Sequence, residues 1–253
     1  MQVDWIMSQI DNTTGLVSFS PSRSSALQME APQAPVRWSR HFMHQFADVA
    51  TALNQTASAS RYLVASENLT TAIQTHLWNG ELGIFSLAPA SRSDYSVAGL
   101  AFCLSAEVAN TTQANRIISA LSNLKLGPGY KDTTLVNSSD PTVNISPFTN
   151  GILLSGLMSQ NTTTASMLSL EPMKSLWGPM LANNLTSSGA SREYVNQDGD
   201  PGLGLFTSLS HPWGGAPTYL TTAWVAGLRP TEGMGGMGID IGLLIRVWDC
   251  RWN

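Results

Sequence analysis

Apolar residues recur along most of this chain at helical spacing, and the helices they define come in consecutive pairs. Phe42, Phe46, Val49, Ala50 and Leu53 fall at i, i+4, i+7, i+8 and i+11, one stripe of an amphipathic helix. Leu69, Ala72, Ile73 and Leu77 repeat the pattern, and Ile117, Leu121 and Leu124 follow Asn110, which has Gln113 three residues on, as a cap would. Ser146-Pro147 is a cap followed by proline at the first helical position, ahead of Ile152, Leu153 and Leu157. Met173, Leu176, Trp177, Met180 and Leu181 form a further stripe that Gly178-Pro179 should bend. Leu220, Ala223, Trp224, Gly227 and Leu228 form the last. The spacing predicts an all-α chain.

Short loops between consecutive helices force them antiparallel. The expected pairs are 37–54 with 57–78, 94–108 with 111–125, and 147–160 with 163–183. A helix near 215–228 has no successor, and residues 1–10 read as the tail of a helix. Such an arrangement should expose apolar helix faces at its edges. Gly83–Leu87 and Gly15–Ser20 are short extended segments, each opened by glycine and closed by proline. In a ring of helices such segments line the mouth, where binding residues sit.

Composition removes several classes of function. With 13 Lys and Arg and a net charge of -4, the chain has no basic field to hold a phosphate backbone, which excludes nucleic acid as an expected partner. No apolar run approaches the roughly 20 residues that span a bilayer, so no membrane partner is expected. Asn12, Asn54, Asn68, Asn110, Asn137, Asn144, Asn161 and Asn184 each begin an Asn-x-Ser/Thr triplet, eight of 15 asparagines. The content of 22 Thr and 30 Ser predicts roughly three by chance. These triplets imply a secreted, extracellular glycoprotein, although Met1–Met7 has neither the basic start nor the apolar core of a signal peptide. Cys103, inside an apolar stretch, is expected to be a free buried thiol, and nothing pairs it with Cys250.

The stretch 189–219 brings the Glu193 carboxylate, the His211 imidazole and the Trp213 indole within about twenty residues, between two helical patterns. Carboxylates, aromatics and a histidine around a pocket suit sugar hydrolysis. Gly189-Ala-Ser-Arg-Glu-Tyr-Val195 and Ser208-Leu-Ser-His-Pro-Trp213, running on to Pro217-Thr-Tyr219, resemble the corresponding segments of the fungal and bacterial α-L-rhamnosidases. The resemblance, to the C-terminal half of the catalytic domain of these six-hairpin glycosidases, covers roughly residues 1–231. It implies a partial (α/α)6 toroid with short β segments at the loops. Residues 232–253 depart from the family as a divergent tail: a strand pair, a docking segment or an altered end.

Inverting glycosidases need an acid to protonate the leaving oxygen and a second carboxylate, roughly 6.5–9.5 Å away, to activate water. The resemblance assigns the second role to Glu193 and a sugar contact to His211, with Trp213 offering a stacking face. Arg192 stands where an aromatic residue is usual in the family, and a guanidinium there would favour an ionised Glu193. Asp94 resembles a family position near the pocket, and helix capping accounts for it equally well. The general acid lies earlier in the family than the matched region. Asp4, Asp11, Glu30 and Asp94 are the carboxylates available here, and none sits in a matching motif.

No cofactor is expected, and no metal site. Gly233–Gly238 fits Gly-x-Gly-x-x-Gly but lacks a flanking strand and helix, and Asn196–Asp200 lacks calcium-loop spacing. His41 and His44 share a helix face without a third ligand. The expected function is inverting hydrolysis of terminal α-L-rhamnosyl residues from a carbohydrate or rhamnosylated glycoside, with the 253-residue chain inactive alone. Two alternatives stand beside it: a truncated or degenerate fragment without catalysis, and a six-hairpin glycosidase of different sugar specificity.

Overall fold

The computed structural model describes residues 2–17, 34–182, 186–230 and 239–241. Helices dominate. α1 (Gln2–Ser8) precedes the pair α2 (Ala34–Ala52) and α3 (Thr56–Leu77), and a hairpin of β1 (Trp78–Asn79) and β2 (Ile84–Phe85) leads to α4 (Val97–Ser105). α5 (Thr111–Ala120) is followed by a 3-10 turn and a second hairpin, β3 (Lys125–Leu126) with β4 (Gly129–Tyr130). α6 (Pro147–Met158), α7 (Thr163–Pro172), α8 (Gly178–Ala182) and α9 (Ala216–Leu220) complete the helical part.

Cap chemistry starts these helices where the residues allow it. Asn110 and Gln113 form a reciprocal capping box on α5. Ser146 accepts from the Thr149 N–H, with Pro147 at the first position of α6. The start of α4 differs from expectation. Its cap is Ser96, which accepts from the Gly99 N–H, and not Asp94 two residues earlier. Between α7 and α8 the helix widens into a π turn over Met173–Trp177. That widening starts at Pro172, whose missing N–H breaks the α-helical ladder, one turn before the expected bend at Gly178-Pro179.

Two sets of close contacts fix how the helices stand. Gly156 of α6 abuts Ala101 of α4, and Gln160 just after α6 donates to the Leu104 carbonyl at 3.1 Å. The Phe148 ring of α6 meets Trp213, and Gly151 abuts Ala216 of α9. In both sets the partners advance together along the sequence, so α4, α6 and α9 run side by side in the same direction. α5 and α7 lie between them in sequence as return helices, and α3 precedes α4 in the same role. This is the inner-and-outer arrangement of an α/α toroid, and it needs glycine at positions 151 and 156. A Cβ at Gly151 would stand 2.6 Å from the Ala216 Cβ. Both β hairpins lie where a return helix hands over to an inner one, which places them at the N-terminal ends of the inner helices.

The main core is built on Leu69, Ile73 and Leu77 of α3, Leu100 and Leu104 of α4, Ile117 of α5, and Leu153 and Leu157 of α6, all buried. A second core joins Leu176, Trp177 and Met180 to Val195, Ile145 and Leu220. α2 departs from its expected stripe. Met43, Ala47 and Ala50 are buried, while Phe46 is 36% and Leu53 64% exposed. Met43 on this buried face packs against Ala65 of α3 and Val3 of α1. The bulky residues are left at an edge.

Cys103 is fully buried in the main core. β5 (Leu228–Pro230) pairs antiparallel with β6 (Ile239–Ile241). Glu30, Cys250, the Gly233–Gly238 motif, Asn184, Ser18–Ser20 and the rest of the tail lie outside the described residues. Among the described residues, no helix is long and apolar enough to cross a membrane and no cluster of three or more metal-ligating side chains occurs.

Candidate active site

The segment Ser191–Val195 is a loop held on both sides. Val195 exchanges two backbone hydrogen bonds with Ile145, of 2.7 and 2.9 Å, directly ahead of the α6 cap. On the other side, the Glu193 N–H donates to the Ser208 carbonyl at 2.9 Å and the His211 N–H to the Ser191 carbonyl at 2.7 Å. The Glu193 and His211 segments are therefore adjacent loops, linked by a short ladder of backbone hydrogen bonds, at the mouth of the inner helices. The half-buried Glu193 carboxylate folds back along this ladder, and its Oε2 accepts from the Ser208 N–H at 3.3 Å. A carboxylate held by one backbone donor keeps lone pairs for a further partner.

Arg192 has different surroundings. Glu193 is half-buried, whereas the Arg192 side chain is completely buried. Its Nη1 donates to the Gly199 carbonyl at 3.0 Å, and its Nη2 to the carbonyl and hydroxyl of Thr186 at 2.8 and 2.9 Å. Burial pushes the Arg192 pKa down, opposed by the charge of Asp200. The expected support of Glu193 by Arg192 is thus corrected. The arginine clamps loops 186 and 199 together and gives Glu193 its position through the backbone.

His211 precedes a 3-10 turn, Pro212–Gly214, which presents Trp213. Trp213 is 65% exposed and meets Phe148 edge-on, with ring centroids 5.3 Å apart. The turn is pinned from beneath, since Trp177 Nε1 donates to the Gly214 carbonyl at 2.7 Å. Gly214 also lies too close to Arg192, Ser191 and Pro147 for a larger residue to sit comfortably: a Cβ would be 3.0–3.2 Å from their atoms. Trp213, Phe148, Ile152 and Tyr219 line a groove of about 310 Å³ along the inner helices, at the lower end of the usual range for small-molecule sites. Sequence reasoning missed Phe148 and Tyr219. Tyr219 stands there only as the end of the family-like segment and Phe148 is given no part, and only the parallel placement of α6 and α9 turns them to one groove.

Asp94 does not join this cluster. Its Oδ2 accepts from the Ser91 hydroxyl at 2.6 Å, its Oδ1 from the Thr134 hydroxyl at 3.2 Å, and its carbonyl from the Leu87 N–H at 2.6 Å. It ties the loop before α4 to the loop after β4. Of the other carboxylates considered, Asp4 pairs with Arg61 and Asp11 accepts from Thr13 and Thr14. The Asn196–Asp200 loop is a tight turn, with Asn196 Oδ1 accepting from the N–H groups of Asp198 and Asp200.

No protein-family model matches the sequence, and neither does any curated protein. Solved structures do match. The GH78-family rhamnosidase of Bacillus sp. GL1 superposes with a TM-score of 0.64 and 16% identity, over 90% of this chain and 23% of that one. A rhamnosidase from Klebsiella oxytoca with rhamnose bound gives 0.63 and 18%, over 87% and 40%. The neutral trehalase Nth1 of Saccharomyces cerevisiae gives 0.53 and 15%, over 83% and 38%. The chain spans between about a quarter and two fifths of the length of these proteins. The identities are low and the shared architecture extensive, so the likeness is one of fold: this chain has a rhamnosidase-like, six-hairpin glycosidase fold, in the form of a partial α/α toroid.

Proposed function

We propose that this chain is the C-terminal half of the catalytic ring of a glycoside hydrolase that removes terminal α-L-rhamnosyl residues with inversion. Glu193 is the general base, drawing a proton from the water that attacks the anomeric carbon. His211 donates a hydrogen bond to a sugar hydroxyl, and Trp213 gives its exposed face to the sugar's C–H surface. Asp94 holds the neighbouring loop in place through Ser91 and Thr134. The acid that protonates the aglycone oxygen comes from outside these residues. The eight Asn-x-Ser/Thr triplets support secretion of the protein.

One observation carries this reading. The Glu193 and His211 loops are joined by backbone hydrogen bonds at the mouth of the inner helices, beside an aromatic groove. Catalysis needs a base, a hydroxyl ligand and an apolar wall in such proximity.

The test uses a polypeptide that supplies both halves of the ring. Glu193→Gln is expected to lower kcat on p-nitrophenyl α-L-rhamnoside by about 10²–10⁴-fold, the usual contribution of a general base. KM should change little, because the amide is isosteric. Unchanged kcat in this variant would remove Glu193 from the mechanism. The trehalase likeness favours a second reading, in which the same base serves another sugar. Turnover of a different glycoside, lost in the same variant, would decide for it.

A further inference from the structure

A second groove on this chain lies far in sequence from Glu193. It has a volume of about 580 Å³ and runs between the end of α1, with the turn that follows it, and one face of α3. Arg61, Val64, Ala65 and Asn68 form its α3 wall, at i, i+3, i+4 and i+7, and Met7 and Ile10 face them. Leu69 closes the floor, while Val64 is 55% exposed and the groove stands open.

Two glycosylation triplets meet at this groove. Asn68 is an exposed residue on its α3 wall, and Asn12 stands exposed on the opposite rim. A groove floored by aliphatic side chains and rimmed by the Ser60 hydroxyl, the Arg61 guanidinium and the Asp11 carboxylate suits a sugar ring. The ring offers an apolar C–H face and a fringe of polar groups. The side chain to which such a sugar would be attached already lines the groove.

We infer that Asn68 carries an N-linked glycan whose first N-acetylglucosamine seats in this groove, covering Val64, Met7 and Ile10. In the transfer, Asn68 Nδ2 forms a bond to C1 of the sugar of a lipid-linked pyrophosphoryl oligosaccharide. The bond from C1 to the pyrophosphate oxygen breaks, the lipid pyrophosphate leaves, and one amide proton passes to the transferase. Attachment takes place on the emerging chain, so the later helical state of residue 68 is no obstacle. The seated sugar then acts as a structural part of the α1–α3 junction, independent of any catalytic reading of Glu193.

The experiment expresses the full chain in a eukaryotic secretory host and maps its glycopeptides by mass. Asn68 is expected to carry N-acetylhexosamine. Trimming every glycan to one sugar with an endoglycosidase should leave the melting midpoint unchanged and binding of an apolar fluorescent dye low. Complete removal from the folded protein, or Asn68→Gln, should lower the midpoint by about 2–4 °C, the scale expected from losing one modest contact in a domain of this size. Dye fluorescence should then rise about twofold, since the groove is uncovered. Thr56→Ala, which removes the Asn54 triplet at an exposed first position of α3, should change neither readout. An unmodified Asn68, or an Asn68→Gln protein indistinguishable from Thr56→Ala, would overturn the inference.

Discussion

Arg192 and Glu193 are bonded neighbours with opposite surroundings. The guanidinium has no solvent exposure and serves three oxygen acceptors in two loops, while the carboxylate lies half-buried on the face toward Ser208. Truncating the arginine leaves the Thr186 and Gly199 carbonyls unpaired and opens a void. Arg192→Ala is expected to destabilise the fold by about 2–4 kcal/mol in urea unfolding, from lost charge-assisted hydrogen bonds and lost packing. A change below about 0.5 kcal/mol, the size of a surface substitution, would show that the clamp is idle. The sequence marked both residues, but not which would face the core. Which of two chain neighbours turns inward depends on how their loop is anchored. Here the anchor is Val195 pairing with Ile145, fifty residues earlier, a contact that local pattern does not encode.

At the scale of single elements, the legible parts were those fixed by local chemistry. The Asn110–Gln113 box and the Ser146-Pro147 start stand where their spacing placed them. Asn110→Ala is expected to cost about 1 kcal/mol, read as a lower urea midpoint at unchanged slope. The α2 stripe failed at this scale, because periodicity finds an apolar face without saying what covers it. The β4 residue Tyr130 gives a pH test. Burial, assisted by the Glu171 carboxylate, raises its phenol pKa to about 12 from an ordinary 10.0. The folded state thus holds this proton more tightly than the unfolded one. The associated stability is fully present below pH 10 and is lost as the pH rises toward 12. A shift of this size corresponds to about 2–3 kcal/mol. Urea midpoints from pH 9 to pH 11.5 should therefore fall more steeply in the wild type than in Tyr130→Phe. Parallel slopes would contradict a buried neutral phenol.

On the scale of the whole molecule, the order of helices and the direction of the inner ones define one mouth. Both β hairpins, the Glu193 ladder and the Trp213 turn gather there. The paired rhythm of the sequence made the helical hairpins legible, because short loops leave consecutive helices few ways to bury their stripes, and the family resemblance implied the toroid. It could not show that Phe148, Trp213 and Tyr219 share a groove, since that depends on α6 and α9 lying parallel across sixty residues. The central claim is that a carboxylate on this mouth activates water for attack opposite the leaving group. Proton NMR of the first sugar released from an α-L-rhamnoside, recorded before mutarotation, tests it most directly. With both halves of the ring present, the account predicts that β-L-rhamnose appears first and that its appearance depends on Glu193. First release of the α anomer, or release at an undiminished rate from Glu193→Gln, would contradict it.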